Sequence, residues 1–130
     1  MSKPNILCVD DQREVLAAVK RELTPFSAEY EIVECESASE ADEVLSDLKN
    51  ENQNLALIIC DHIMPGENGV DFLAKIDASD NFPNTKKVLL TGLASHQDTI
   101  KAINEAHIDH YFEKPWDSDN FVSVIKKLLA

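Results

Sequence analysis

The sequence predicts an α/β fold in which a parallel sheet is covered by helices on both faces. Three observations carry that expectation. Five short β-type runs alternate with five amphipathic helical stretches, and strict alternation of this kind implies crossover connections and a parallel sheet. The third run, Leu55 to Cys60, is almost continuously apolar, as a strand buried on both faces must be. No repeat, low-complexity tract or linker interrupts the pattern, so residues 1–130 read as one domain.

The strands are expected at Asn5–Asp10, Tyr30–Cys35, Leu55–Asp61, Lys87–Thr91 and Ile108–Glu113. Apolar residues at helical spacing mark the helices. Val15, Leu16, Val19 and Leu23 form the first stripe, and Ala41, Val44, Leu45 and Leu48 the second. Val70, Leu73 and Ile76 carry a third after Gly69, while Ile100, Ile103 and Ala106 make a short fourth. Phe121, Val124, Ile125, Leu128 and Leu129 form the last, with Asp117 as its N-cap. Asp77–Lys86 is polar and turn-rich, and reads as a surface loop.

Composition narrows the function. The net charge of −12 argues against a grip on phosphate backbones, which comes from clustered Lys and Arg, so no direct nucleic-acid binding is expected. The longest apolar run is far too short to span a bilayer, and no leader-like segment opens the chain. Cys8, Cys35 and Cys60 lack metal or redox spacing and read as buried, reduced thiols, consistent with a cytoplasmic protein.

Polar residues gather at the C-terminal ends of the strands: Asp10 and Asp11 at the first, Asp61 at the third, Thr91 at the fourth and Lys114 after the fifth. Ligands of open α/β sheets bind outside those ends, where strand order reverses. In the doubly wound order 2-1-3-4-5, strand one lies beside strand three, so Asp10 and Asp11 face Asp61 across one step of about 4.8 Å. Lys114 sits two steps away, roughly 10 Å, within reach of a lysine stem. Three carboxylates so close repel one another and call for a hard divalent cation. Mg²⁺ suits a site with few carboxylates, several waters and a phosphate to share. A carboxylate can then act as the nucleophile toward phosphorus, giving an acyl phosphate.

The runs Ile6-Leu7-Cys8-Val9-Asp10-Asp11, Asp61-His62-Ile63-Met64-Pro65-Gly66 with Gly69, Leu89-Leu90-Thr91-Gly92 and Tyr111-Phe112-Glu113-Lys114-Pro115 together resemble the receiver domain of two-component response regulators, over essentially the whole chain. The resemblance implies a flavodoxin-like (βα)5 three-layer sandwich. It implies that Asp61 accepts phosphate from the phosphohistidine of a sensor histidine kinase or histidine phosphotransfer protein. Asp11, Asp61 and the backbone carbonyl of Ile63 would hold Mg²⁺ directly, with Asp10 acting mostly through water. Lys114 and Thr91 would contact the phosphoryl group. Thr91 and Tyr111 would form the switch pair that reports to the face of the fourth helix, fifth strand and fifth helix. That face would serve an output domain or target protein, with room for a homodimer formed on phosphorylation. Such a protein phosphorylates and dephosphorylates itself and is not a turnover enzyme.

Bland readings stand beside these. Asp10 can cap the first helix, but an Asp-Asp pair ending an apolar strand, matched by Asp61, favours the metal role. His62 reads as a solvated rim residue turned away from the acceptor by strand alternation. Ile63 and Leu93 are apolar where a polar side chain would orient a hydrolytic water, so the aspartyl phosphate is expected to persist. A haloacid-dehalogenase-like phosphatase would need a second Asp at Ile63. A flavin-binding module would need a Ser/Thr/Gly-rich loop where Asp10-Asp11-Gln12-Arg13-Glu14 stands. A receiver-like interaction module that is never phosphorylated is the remaining alternative.

Overall fold

The computed structural model describes residues 3–92, 97, 100 and 102–130, without the side chains of residues 102 and 103. Its elements are β1 (Asn5–Val9), α1 (Arg13–Glu22), β2 (Glu31–Cys35), α2 (Ala38–Asn50), β3 (Leu55–Asp61), α3 (Gly69–Ser79), β4 (Lys86–Thr91), a short π-type helical segment α4 (Ala102–Ala106), β5 (His110–Glu113) and α5 (Ser118–Leu129). The strands form one sheet in the order β2-β1-β3-β4-β5, with every pairing parallel. Among the described residues no helix is long and apolar enough to cross a membrane.

Period-2 alternation divides the core into two halves. Leu7, Val9, Ile58 and Cys60 pack with Ala41, Leu45, Phe72 and Leu73 under α2 and α3. Ile6, Cys8, Leu57 and Ile59 pack with Leu16, Val19, Phe121 and Ile125 over α1 and α5. The Cys8, Cys35 and Cys60 thiols are free and buried. Burial pushes the Cys35 thiol up to about 12 and raises the other two as well, so none supplies a ready thiolate.

The starts of α2, α3 and α5 follow from capping side chains. Ser37 Oγ accepts from the Glu40 amide at 3.0 Å, Asn68 Oδ1 from the Asp71 amide at 2.8 Å and Asp117 Oδ2 from the Asn120 amide at 2.9 Å. Each occupies a donor that would otherwise be orphaned.

Several boundaries differ from the sequence reading. Helix α3 runs on to Ser79, so Asp77 is helical, and β4 already begins at Lys86. Asp77 accounts for this by tying the end of α3 to the sheet: its Oδ1 lies 3.2 Å from Lys87 Nζ and its Oδ2 2.6 Å from His107 Nδ1. Strand β5 is shorter than expected and starts at His110. In the fourth stripe Ala106 is buried, Ile100 is exposed, and the side chain of Ile103 lies outside the described residues.

Burial alone would raise the Asp77 carboxyl, but hydrogen bonds from His107 and Lys87 prevail and hold it below its usual value. Its stabilisation is therefore present above the unfolded carboxylate value, about 3.9, and is lost as pH falls through the lower folded value. Chemical denaturation from pH 6 down to pH 2.5 should show a steeper acid loss in wild type than in Asp77→Asn. Parallel profiles would contradict the assignment.

Candidate functional site

Register and alternation assemble the site at the C-terminal ends of the strands. Val9 pairs with both Cys35 and Cys60, so the next residues on β1 and β3 are Asp10 and Asp61, one step apart. Both share the alternation of Cys8 and Ile59, so they emerge on the same side of the sheet. Lys114 shares the alternation of Phe112, which lies in that same half of the core.

The carboxylates of Asp10, Asp11 and Asp61 offer oxygens that all lie within 4.8 Å of one another. Lys114 Nζ donates to Asp61 Oδ1 at 2.7 Å and to Asp10 Oδ2 at 3.1 Å. The other oxygen of Asp10 accepts from the Gln12 amide at 2.9 Å. The N-cap of α1 is Gln12, without a side-chain cap bond, so Asp10 is not the helix cap that the sequence also allowed. Asp10 and Asp61 are buried, whereas Asp11 is exposed.

Burial raises the Asp61 carboxyl above its usual range. The Lys114 hydrogen bond opposes the rise, while the charges of Asp10 and Asp11 add to it. Burial would lower the Lys114 ammonium, but the bond to Asp61 and the nearby carboxylates raise it. One lysine therefore leaves the cluster short of positive charge. The oxygen spacing is close to what a cation with ligands at about 2.1 Å can gather with slight closure. The donor set, all carboxylate oxygen with an exposed member open to water, fits Mg²⁺.

Thr91 stands at the next strand end. It is buried at the end of β4, and its Oγ1 has no hydrogen-bond partner among the described residues. A buried hydroxyl left this way costs free energy unless a ligand oxygen completes it. Tyr111 shares the face of Thr91: it pairs with Leu89 across the β4–β5 register, two residues before Thr91. Tyr111 is 39% exposed.

The loop after Asp61 is built on a close backbone approach. His62 N donates to Leu90 O at 2.9 Å, continuing the β3–β4 pairing, and Gly69 N donates back to His62 O at 2.8 Å. A Cβ added at Gly69 would stand 2.2 Å from the Asp61 carbonyl oxygen, so a side chain there is excluded. This return of the chain covers His62, which is buried rather than a solvated rim residue. Met64 anchors the loop in the core, while Ile63 is 68% exposed. Lys75 reaches Asp42 at 3.0 Å and Glu67 at 3.1 Å, bridging the loop to α2.

The structure brings Asp10, Asp11, Asp61 and Lys114 together, places Thr91 at the neighbouring strand end and leaves Tyr111 facing outward. Leu93 lies outside the described residues. Two features were not anticipated: the contact that makes Gly69 obligatory, and the bond from Trp116 Nε1 to Glu22 Oε2 at 3.0 Å. Only the tertiary fold brings the partners of either together.

Comparisons with known proteins agree with this architecture. Residues 6–126 match the response regulator receiver domain family. The signal receiver domain of an HD domain-containing protein from Pseudomonas fluorescens Pf-5 superposes with a TM-score of 0.85 at 30% identity, covering 98% of this chain and 95% of that one. A CheY-like receiver domain protein from Methanospirillum hungatei JF-1 gives 0.82 at 30% identity, covering 98% and 94%. The hydrogenase transcriptional regulatory protein HoxA of Cupriavidus necator is 30% identical over 94% of this chain, which spans 23% of that protein. Response regulator Rre1 of Synechocystis is 29% identical over the full chain, which spans 54% of it. The chain belongs to the response regulator receiver domain family of two-component signalling.

Gly69→Ala should cost the fold several kcal/mol, as overpacking against backbone does. A thermal or urea denaturation midpoint equal to wild type would show that the loop can withdraw from Asp61.

Proposed function

We propose that this receiver domain, spanning residues 1–130, is a phosphoacceptor switch that takes a phosphoryl group on Asp61 from the phosphohistidine of a sensor histidine kinase or histidine phosphotransfer protein. The observation that carries this reading is the juxtaposition of the Asp10, Asp11 and Asp61 oxygens with Lys114 Nζ. An Asp61 oxygen attacks phosphorus as the phosphorus–nitrogen bond of the donor breaks and the imidazole leaves with the electron pair. Lys114 then exchanges its carboxylate contacts for a phosphoryl oxygen, and the Thr91 hydroxyl donates to another. Asp11, Asp61 and the Ile63 carbonyl would hold Mg²⁺, with Asp10 through water; the ion supplies neutralisation of charge on the phosphoryl oxygens. The protein is the acceptor in this reaction, not a turnover enzyme.

Thr91 drawn toward phosphate vacates space on its face of the sheet, which the outward Tyr111 ring can enter. The change would reach the α4–β5–α5 face, for an output domain, a target protein or a second copy of the chain. The transcriptional regulators among the relatives are consistent with an output of that kind. Nothing in the pocket requires nucleic acid or membrane.

Ile63, exposed beside the acceptor, offers no polar group to hold an attacking water. Loss of the phosphoryl group should therefore be slow, and removal should depend on a partner.

Incubation with a small acyl-phosphate donor and Mg²⁺, followed by intact mass spectrometry, tests the reading. Wild type should gain one phosphoryl group, lose the gain when Mg²⁺ is chelated, and show none as Asp61→Asn. Over time the mark should decay faster in Ile63→Asn. Labelling that persists in Asp61→Asn would overturn the acceptor, and absence of labelling in wild type would favour an unphosphorylated interaction module.

A further inference from the structure

We propose that Glu22, at the end of α1, is a positioning residue for the phosphoacceptor site: by holding Trp116 it fixes the β5–α5 loop from which Lys114 reaches Asp61. The inference rests on the function proposed above. Residues 114–117 are pinned at three points. Lys114 N donates to Thr91 O at 2.8 Å, Asp117 caps α5, and between them the Trp116 indole N–H donates to Glu22 Oε2 at 3.0 Å. Glu22 is 94 residues away in sequence from Trp116, so this bond ties the loop to an element outside the β5–α5 hairpin.

Pro115 separates Lys114 from Trp116, and its ring removes one backbone freedom between them. A shift of the indole is therefore passed along a short, stiff lever. Trp116 and Pro115 also border an open cavity of about 370 Å³ lined by Tyr111, Glu113 and Asn120. One side of the indole accordingly has room to turn, while the Phe121 ring lies tilted against another at a centroid distance of 5.3 Å. A hydrogen bond to a charged acceptor is directional and stronger than a neutral one, and Glu22 supplies it. Without it the ring can swing toward the cavity, and Lys114 Nζ loses the placement that lets it span Asp10 and Asp61.

The test compares wild type, Glu22→Ala, Glu22→Gln, Trp116→Phe and the Glu22→Ala/Trp116→Phe double variant of the full chain. Initial phosphoryl uptake from a small acyl-phosphate donor at saturating Mg²⁺ should fall about fivefold in Glu22→Ala and in Trp116→Phe, as expected for a misplaced contact group. Glu22→Gln keeps an acceptor oxygen and should stay near wild type. The double variant should be no slower than either single variant, since both remove the same bond. Without any phosphodonor, the amide signals of Lys114 and Asp61 should shift in Glu22→Ala. Uptake at the wild-type rate in both single variants, multiplicative losses in the double variant, or a lowered melting midpoint with unchanged uptake would each overturn the positioning role. If wild type takes up no phosphate, the acceptor function fails instead, and the Lys114 and Asp61 amide shifts alone decide whether Glu22 sets the loop.

Discussion

Lys114, donating to Asp61 and Asp10 together, is the contact on which the rest of the site depends. It draws two buried carboxylates onto one cation, and a third, Asp11, stands close by without being satisfied by it. Like charges at this spacing are costly, more so where water is thin. Burial first, and the charges of Asp10 and Asp11 after it, raise the Asp61 carboxyl against the pull of Lys114. Its sign is opposite to that at Asp77: folding is favoured while Asp61 is protonated, and that advantage is lost as pH rises through its folded value. The fold therefore carries a local electrostatic penalty, which a divalent cation and a phosphoryl group are suited to relieve.

The sheet makes the penalty possible. Strand β3 is central and closely packed on both faces, so Asp61 at its end cannot retreat into solvent. The neighbouring β1 is held in register with it, so Asp10 cannot slide away. Gly69 lets the chain return across the Asp61 carbonyl and closes that side. Bonds such as Lys75 to Glu67 and Trp116 to Glu22 brace the two loops that frame the pocket. Rigid strand ends and braced loops keep charged groups where they would not gather unaided.

Much of this was legible in the residues. The apolar run of β3 and the alternation of strands and stripes pointed to the parallel sheet, and the doubly wound strand order then placed the carboxylates at neighbouring strand ends. The expected solvation failed at His62, which is buried where its backbone bonds both to Leu90 on β4 and to Gly69 on the returning chain. The extent of α3 was misjudged because Asp77 reads as a loop residue until its ties to Lys87 and His107 are visible. The Trp116–Glu22 bond joins residues too distant for spacing to reveal.

Urea denaturation of wild type and Asp61→Asn, each with and without Mg²⁺, probes the repulsion among Asp10, Asp11 and Asp61 most directly. If that repulsion is real, the metal-free Asn variant should be more stable than metal-free wild type, since it removes one charge and keeps an acceptor for Lys114. Mg²⁺ should raise the wild-type midpoint markedly and the variant's much less. Equal or lower stability of the metal-free variant, together with a wild-type midpoint indifferent to Mg²⁺, would contradict a strained acidic pocket poised for a cation and a phosphoryl group.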